Sequence, residues 1–253
     1  MRRNGSGGAT PRPPAGSAPV LDIGSLDAWY GQAQAIRGID LHVQAGEVVG
    51  IFGHNGAGKS TLLRTIAGLH GRAGGSIRHE GDEILGRHPH QIARRGVYLV
   101  REGARAFETL TVDENIRLGS RLATLAKREP RALDEVYEVF GLLADRRTTA
   151  AGLLSGGQRQ ALALAVGYAS NATCLLLDEP STGLAPSVVE SVYATLQRVA
   201  HSGAAFLVAE QNPEWLATLA TRGYLLETGS VRAAGPPRAF LASHVAAPDG
   251  AGH

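Results

Sequence analysis

Between Val20 and Glu227, short apolar runs alternate with amphipathic stretches, and the period of the apolar positions changes from one to the next. Leu21–Tyr30 and residues 35–43 mix polar and apolar side chains at strand-like spacing, with a turn around Gly31 between them. Val48, Val49, Gly50, Ile51 and Phe52 form a short apolar strand, after which a glycine-rich turn opens a helix near Gly58 that runs to about Ala67 and stops at Gly68. A glycine turn at Gly74 and Gly75 leads to a strand near Ile77 and a polar loop, and residues 96–100 read as another short buried strand. Thr111 with Glu114 three residues on has the spacing of a capping box. Helices over 112–126 and 130–140 then form a helical insert. After Ser155 the alternation resumes: a long apolar helix through Val166, a strand over 173–177, a helix, a strand over 204–208, a helix, and a strand over 224–227. That order predicts an α/β protein with a mainly parallel sheet covered by helices on its faces.

Composition bounds the function. The 253 residues suffice for one large α/β domain or a core with a subdomain. Charges nearly cancel, 25 basic against 23 acidic, so the balance implies no nucleic-acid partner. Cys174 stands alone among apolar neighbours and reads as a buried structural thiol. The histidines are scattered, and their spacing supports no metal site. No apolar run reaches the roughly 18 residues of a membrane span, so a membrane role must come through a partner. Residues 1–19, rich in glycine, proline, serine and arginine, predict a disordered extension, and residues 244–253 a flexible tail. Arg2-Arg3 is followed by no apolar region and is not read as an export signal.

Chemistry concentrates after the Val48 strand. Gly53, His54, Asn55, Gly56, Ala57, Gly58, Lys59, Ser60 and Thr61 contain the phosphate-loop pattern GxxxxGK[ST]. The chain has 33 glycines but only two lysines, which makes a chance match rare. Glycines let successive N–H groups and the helix N-terminus converge on one anion. Lys59 would reach the β- and γ-phosphates of a nucleotide, and the Ser60 hydroxyl would bind Mg²⁺. Leu175-Leu176-Leu177 ends abruptly in Asp178-Glu179. Two acids at a strand end can be a solvated terminus; after a phosphate loop they suggest Asp178 for the metal and Glu179 for the attacking water. Ser155-Gly156-Gly157-Gln158 makes a second anion site at the start of an apolar helix, or simply a loop.

The ordered series of phosphate loop, Leu154-Ser155-Gly156-Gly157-Gln158 and Leu175-Leu176-Leu177-Asp178-Glu179-Pro180 resembles the ATP-binding subunits of ABC transporters. The resemblance implies a P-loop NTPase core with a mainly parallel sheet, an antiparallel β-subdomain and a helical insert. It places the ATPase domain at 20–243 and the helical subdomain at about 104–157. It implies ATP hydrolysis, with ATP and Mg²⁺ bound, and two cassettes packed head to tail. Ser155, Gly156, Gly157 and Gln158 would then serve the partner subunit's nucleotide. Tyr30 falls where the family stacks an aromatic ring on adenine, and Ser181 and Thr182 lie in the loop that faces the opposite subunit. Glu102 stands where glutamine is usual, as a further metal candidate, and Gln211 stands where histidine is usual. Both are similar to the branch that drives branched-chain amino-acid uptake. The implied protein is a cytoplasmic ATPase, peripheral on the inner face of the cell membrane, paired with a second ATPase subunit in a homo- or heterodimer and with transmembrane permease subunits.

Another transport system, a soluble ABC ATPase of translation or repair, and a regulatory module that hydrolyses nothing are the alternatives. A single phosphate loop and a short insert disfavour the second, and Glu179 disfavours the third.

Overall fold

The computed structural model describes residues 18–103 and 106–241. The expected N-terminal extension (but for its last two residues) and C-terminal tail lie outside them, as do residues 104 and 105 at the start of the insert.

Two sheets carry the chain. β1 (Leu21–Tyr30), β2 (Ala33–Val43), β4 (Arg72–His79) and the two-residue β5 (Asp82–Glu83) form an antiparallel sheet in the order β2-β1-β4-β5. The second sheet runs β10-β9-β3-β8-β7-β6, from β3 (Val48–Phe52), β6 (Val97–Val100), β7 (Cys174–Asp178), β8 (Ala205–Glu210), β9 (Arg222–Glu227) and β10 (Ser230–Gly235). All its pairings are parallel except that of β10, an antiparallel edge strand.

The continuous apolar runs have a simple cause: β3, β7 and β8 are buried on both faces. Val49, Ile51, Leu176 and Leu207 turn toward α1 (Lys59–Ile66) and the antiparallel sheet. Phe52, Leu175, Leu177, Phe206 and Val208 turn toward α5 (Gly156–Ala169) and α6 (Pro186–Ala200). Cys174 is buried in the first of these cores, and burial pushes its thiol up to about 12.

The insert is built from α3 (Val112–Leu125), α4 (Leu133–Val139) and short 3-10 turns. Thr111 and Glu114 make the capping box that their spacing predicts: the Thr111 Oγ1 accepts from the Glu114 N–H at 3.2 Å, and Glu114 accepts from the Thr111 N–H at 2.8 Å. α3 packs closely on α5, where a Cβ on Gly119 would stand 2.2 Å from the Val166 carbonyl oxygen.

Several local expectations change. Gly74 and Gly75 make no turn; they lie inside β4, where Ser25 and Leu26 of β1 bulge opposite Gly75, whose φ of +100 and close approach to the Ser25 carbonyl leave no room for a Cβ. The polar loop contains a short helix, α2 (Pro89–Arg95), with Pro89 at its first position, Ile92 as its one buried residue and Gly96 as its left-handed end. α4 begins three residues later than expected. The preceding segment stays extended because Asn171 Nδ2 donates to the Glu129 carbonyl at 3.1 Å and the Arg131 N–H points at Ala169 O at 3.4 Å. Only a 3-10 turn, Pro213–Leu216, capped by Asn212, stands where a helix is expected between β8 and β9.

Candidate active site

Parallel pairing sets the ends of four strands along one rim. Phe52 lies opposite Glu210, Asp178 opposite Ala209, and Val100 opposite Leu177. The segments that follow, starting at Gly53, Arg101, Glu179 and Gln211, therefore converge although they lie far apart in the chain. A cavity of about 790 Å³ opens there, and its wall includes Tyr30, Lys59, Ser60, Glu102, Glu179 and Gln211.

The loop between β3 and α1 needs its glycines. Gly53 has φ +153 and a Cβ there would meet the Leu226 carbonyl oxygen at 2.4 Å; Gly58 has φ +108 and backs onto Ile36 and Ala35. α1 opens at Lys59 without a side-chain cap and with no acid in its first turn, so its N–H groups and positive end face the cavity. Lys59 is buried, and its ammonium donates to the Gly53 carbonyl at 2.7 Å and the His54 carbonyl at 3.3 Å. It also lies 3.1 Å from Glu179 Oε1. The Ser60 hydroxyl donates to Asp178 Oδ1 at 2.7 Å. Burial pushes the Asp178 carboxyl up, offset in part by that hydrogen bond and by Arg64. A serine hydroxyl and a carboxylate side by side are the hard oxygen donors that Mg²⁺ takes, and a glycine cradle beside a lysine suits a polyphosphate. The residues present therefore fit Mg·ATP.

Glu179 has φ +49, an unfavourable conformation for a residue with a Cβ. It is held by its N–H to the Ala209 carbonyl at 3.0 Å and by the Thr182 hydroxyl, which donates to Oε2 at 3.1 Å. At the far end of the cavity Tyr30 is half exposed, its hydroxyl 3.4 Å from Thr61 Oγ1. The His70 ring meets it edge to face at 4.5 Å, leaving the Tyr30 ring to offer a face to a base.

Not every predicted residue lines this cavity. Asn55, Gly56, Ala57, Gly58 and Thr61 do, with Gln211. Gly53 and His54 border a small cleft of about 30 Å³ beside Phe52 and Phe240, which Gln211 also reaches. Ser155, Gly156, Gly157 and Gln158 are absent from both. Ser155 caps α5, accepting from the Gln158 N–H at 3.3 Å, and a Cβ on Gly157 would collide with Val188 of α6 at 2.1 Å. Sequence reasoning missed Gln34, Arg37, Arg64 and Thr228 on the cavity wall. Arg64 had a signal, being four residues after Ser60 and so on the same face of α1. Gln34, Arg37 and Thr228 are delivered by β2 and by the turn after β9 and had none.

Among the described residues no three histidine, cysteine, aspartate or glutamate side chains cluster as a metal site, and no helix is long and apolar enough to cross a membrane.

Known proteins share this arrangement. The chain is 38% identical over 212 residues, 84% of its length and 91% of the relative's, to the high-affinity branched-chain amino acid transport ATP-binding protein BraG of Pseudomonas aeruginosa. It is 33% identical to the methionine import ATP-binding protein MetN of Brucella abortus, over 89% of this chain and 62% of that protein. An ATP-binding cassette of an ABC transporter in its ADP conformation superposes with a TM-score of 0.78 at 23% identity, covering 89% of this chain and 96% of that one. The dimeric post-hydrolysis state of another cassette, bound to ADP and Pi, gives 0.73 at 21% identity, over 86% and 99%. The model of the ABC transporter family matches residues 36–182, more than half the chain and the whole span from the phosphate loop to Asp178 and Glu179. With that match and those relatives, the chain belongs to the ABC transporter family and is an ABC-type ATPase.

Proposed function

We propose that this chain is the ATP-hydrolysing subunit of an importer for branched-chain or related amino acids, bound to permease subunits on the inner face of the cell membrane. The likeness to BraG over 84% of the chain supports the substrate class, and the likeness to MetN makes methionine a competing substrate within the same general chemistry.

In this reading the loop from Gly53 to Thr61 takes the phosphates and Tyr30 stacks on adenine. Mg²⁺ would neutralise phosphate charge between Ser60 and Asp178, with Glu102 facing the same cavity. Lys59 now bonds Glu179; the γ-phosphate competes for that ammonium and frees the carboxylate. Glu179 then accepts a proton from water as the water oxygen attacks the γ-phosphorus and the bond to the β–γ bridging oxygen breaks, giving ADP and phosphate. Gln211 hydrogen-bonds the γ-phosphate but carries no positive charge. Since Ser155, Gly156, Gly157 and Gln158 lie away from their own cavity, they close the site of a second ATPase subunit, and a lone chain binds ATP yet hydrolyses it poorly.

The test is uptake of labelled leucine, isoleucine and valine in cells lacking this chain, complemented with wild type or with Glu179→Gln. Wild type restores uptake and Glu179→Gln does not. Normal uptake in the deletion strain counts against the substrate class, and unchanged ATP turnover by purified Glu179→Gln counts against the hydrolytic reading.

A further inference from the structure

Glu210 ends β8 with its carboxylate turned inward, at 1% exposure. Three donors serve it: the Ser181 N–H at 3.0 Å and the Tyr193 hydroxyl at 2.6 Å on Oε1, and the Ser181 hydroxyl at 2.8 Å on Oε2. No cation joins it in an ion pair among the described residues. Burial pushes its carboxyl up, against those hydrogen bonds, and the nearby Glu179 adds to the rise. A buried carboxylate without a cation is costly, and hydrogen bonds from neutral groups offset that cost only in part. The fold nevertheless keeps it at the rim where the candidate chemistry sits.

Its contacts reach the reacting groups from two sides. Ser181, held twice by Glu210, is followed by Thr182, whose hydroxyl donates to Glu179 Oε2. Ala209, which precedes Glu210, accepts from the Glu179 N–H and so supports its left-handed backbone. Gln211 follows Glu210 directly and lines the cavity. The other anchor, Tyr193, is a buried residue of α6 stacked on Trp215 and touches none of these groups.

We infer that Glu210 is a positioning residue for hydrolysis: it clamps the Ser181–Thr182 loop and the end of β8, so that Glu179 and Gln211 face the γ-phosphate together. The inference rests on the reading of Glu179 as the base. Because Glu210 is not part of the cavity wall, its loss lowers kcat and leaves ATP affinity in place.

The experiment measures steady-state Mg·ATP turnover and equilibrium binding of a fluorescent ATP analogue for the full chain and its variants, with thermal melting as the check on folding. Glu210→Gln turns an amide toward the Ser181 donors; kcat falls by about tenfold or more while the dissociation constant stays within about twofold. Tyr193→Phe removes one donor that is not on the cavity wall and lowers kcat by about two- to fivefold, again at constant affinity; it carries the test if Glu210→Gln does not fold. Thr182→Ala added to Glu210→Gln costs no more than about a further twofold, since both act on one carboxylate. The inference is overturned if folded Glu210→Gln, or Tyr193→Phe in its place, keeps kcat within about twofold of wild type, if kcat and affinity fall in parallel, or if the Thr182→Ala loss multiplies in full. A wild-type chain without turnover overturns the reading of Glu179 along with it, whereas an active wild type with unaffected variants overturns this inference alone.

Discussion

If a working site is shared between two copies, two dead chains mixed together recover activity. Ser155→Ala removes the hydroxyl that would contact the partner's γ-phosphate, and Glu179→Gln removes the base of the chain's own site. In a mixed dimer both lesions fall in one composite site, and the other site keeps a wild-type Glu179 and a wild-type Ser155. Equal amounts pairing at random give half mixed dimers, each with one of two sites intact, so the mixture turns over at about one quarter of the wild-type rate. Ser155 also caps α5 through its 3.3 Å bond from the Gln158 N–H, so alanine costs stability as well. A lost cap is worth about 1 kcal/mol, or roughly 2–4 °C for a chain of this size. Ser155→Asn separates the roles: asparagine caps as well as serine and restores the melting temperature, yet its bulkier amide leaves turnover low. The assay is phosphate release at saturating Mg·ATP for each parent, the mixture and Ser155→Asn, alongside thermal melts. A mixture no faster than the mean of its parents, or full activity in Ser155→Asn, refutes a site composed from two copies of this chain.

Three further outcomes follow from single residues. Gln211→His raises or preserves turnover, because imidazole can carry charge where an amide cannot; a loss beyond about tenfold, roughly 1.4 kcal/mol in the barrier, contradicts the role given to that position. Tyr30→Ala weakens binding of a fluorescent ATP analogue by about 1–3 kcal/mol, or roughly 5- to 150-fold, whereas Tyr30→Phe keeps the ring and the affinity; equal losses contradict stacking. Burial works to raise the Glu47 carboxyl, but the Arg222 guanidinium, hydrogen-bonded to it at 2.6 and 2.9 Å, and the Gln44 N–H hold it below the ordinary value of 4.5. Its folded pKa lies below its unfolded one, so its contribution is present above that value and is lost as pH falls through the folded pKa. The urea midpoints of wild type and Glu47→Gln, well separated at neutral pH, therefore converge in acid; a constant gap contradicts the assignment.

What the sequence made legible is what local chemistry determines. The unbroken apolar runs of β3, β7 and β8 follow from burial on both faces, and the phosphate loop follows from glycines needed at φ +153 and φ +108. β10 escaped notice because it is an edge strand with little buried, and α2 because seven residues with one buried side chain show no period. Gly74-Gly75 looked like a turn because packing opposite the β1 bulge needs the same backbone freedom. A pair joined only by folding leaves no trace unless a motif marks both ends: Glu47 and Arg222, 175 positions apart, had none, whereas Ser60 and Asp178, 118 apart, each stood in a motif that pointed to the same metal.

The residues around the rim divide by what holds them. Lys59 is paired with Glu179 and Ser60 with Asp178, so one chain places by itself the residues to which the phosphate, metal and base roles are proposed. Ser155 and Gly157 are fixed just as firmly, but by α5 and α6 and away from the cavity. A helix N-terminus with an exposed serine and a glycine packed on Val188 is a surface suited to an anion, and it lies off the cavity of its own chain. In the two-subunit reading, such fixed placement on both sides means that bringing them together would require movement of whole bodies rather than rearrangement of side chains. In the same reading, binding of ATP between two such surfaces would shift the pair toward the closed state by as much as the nucleotide prefers two half-sites over one.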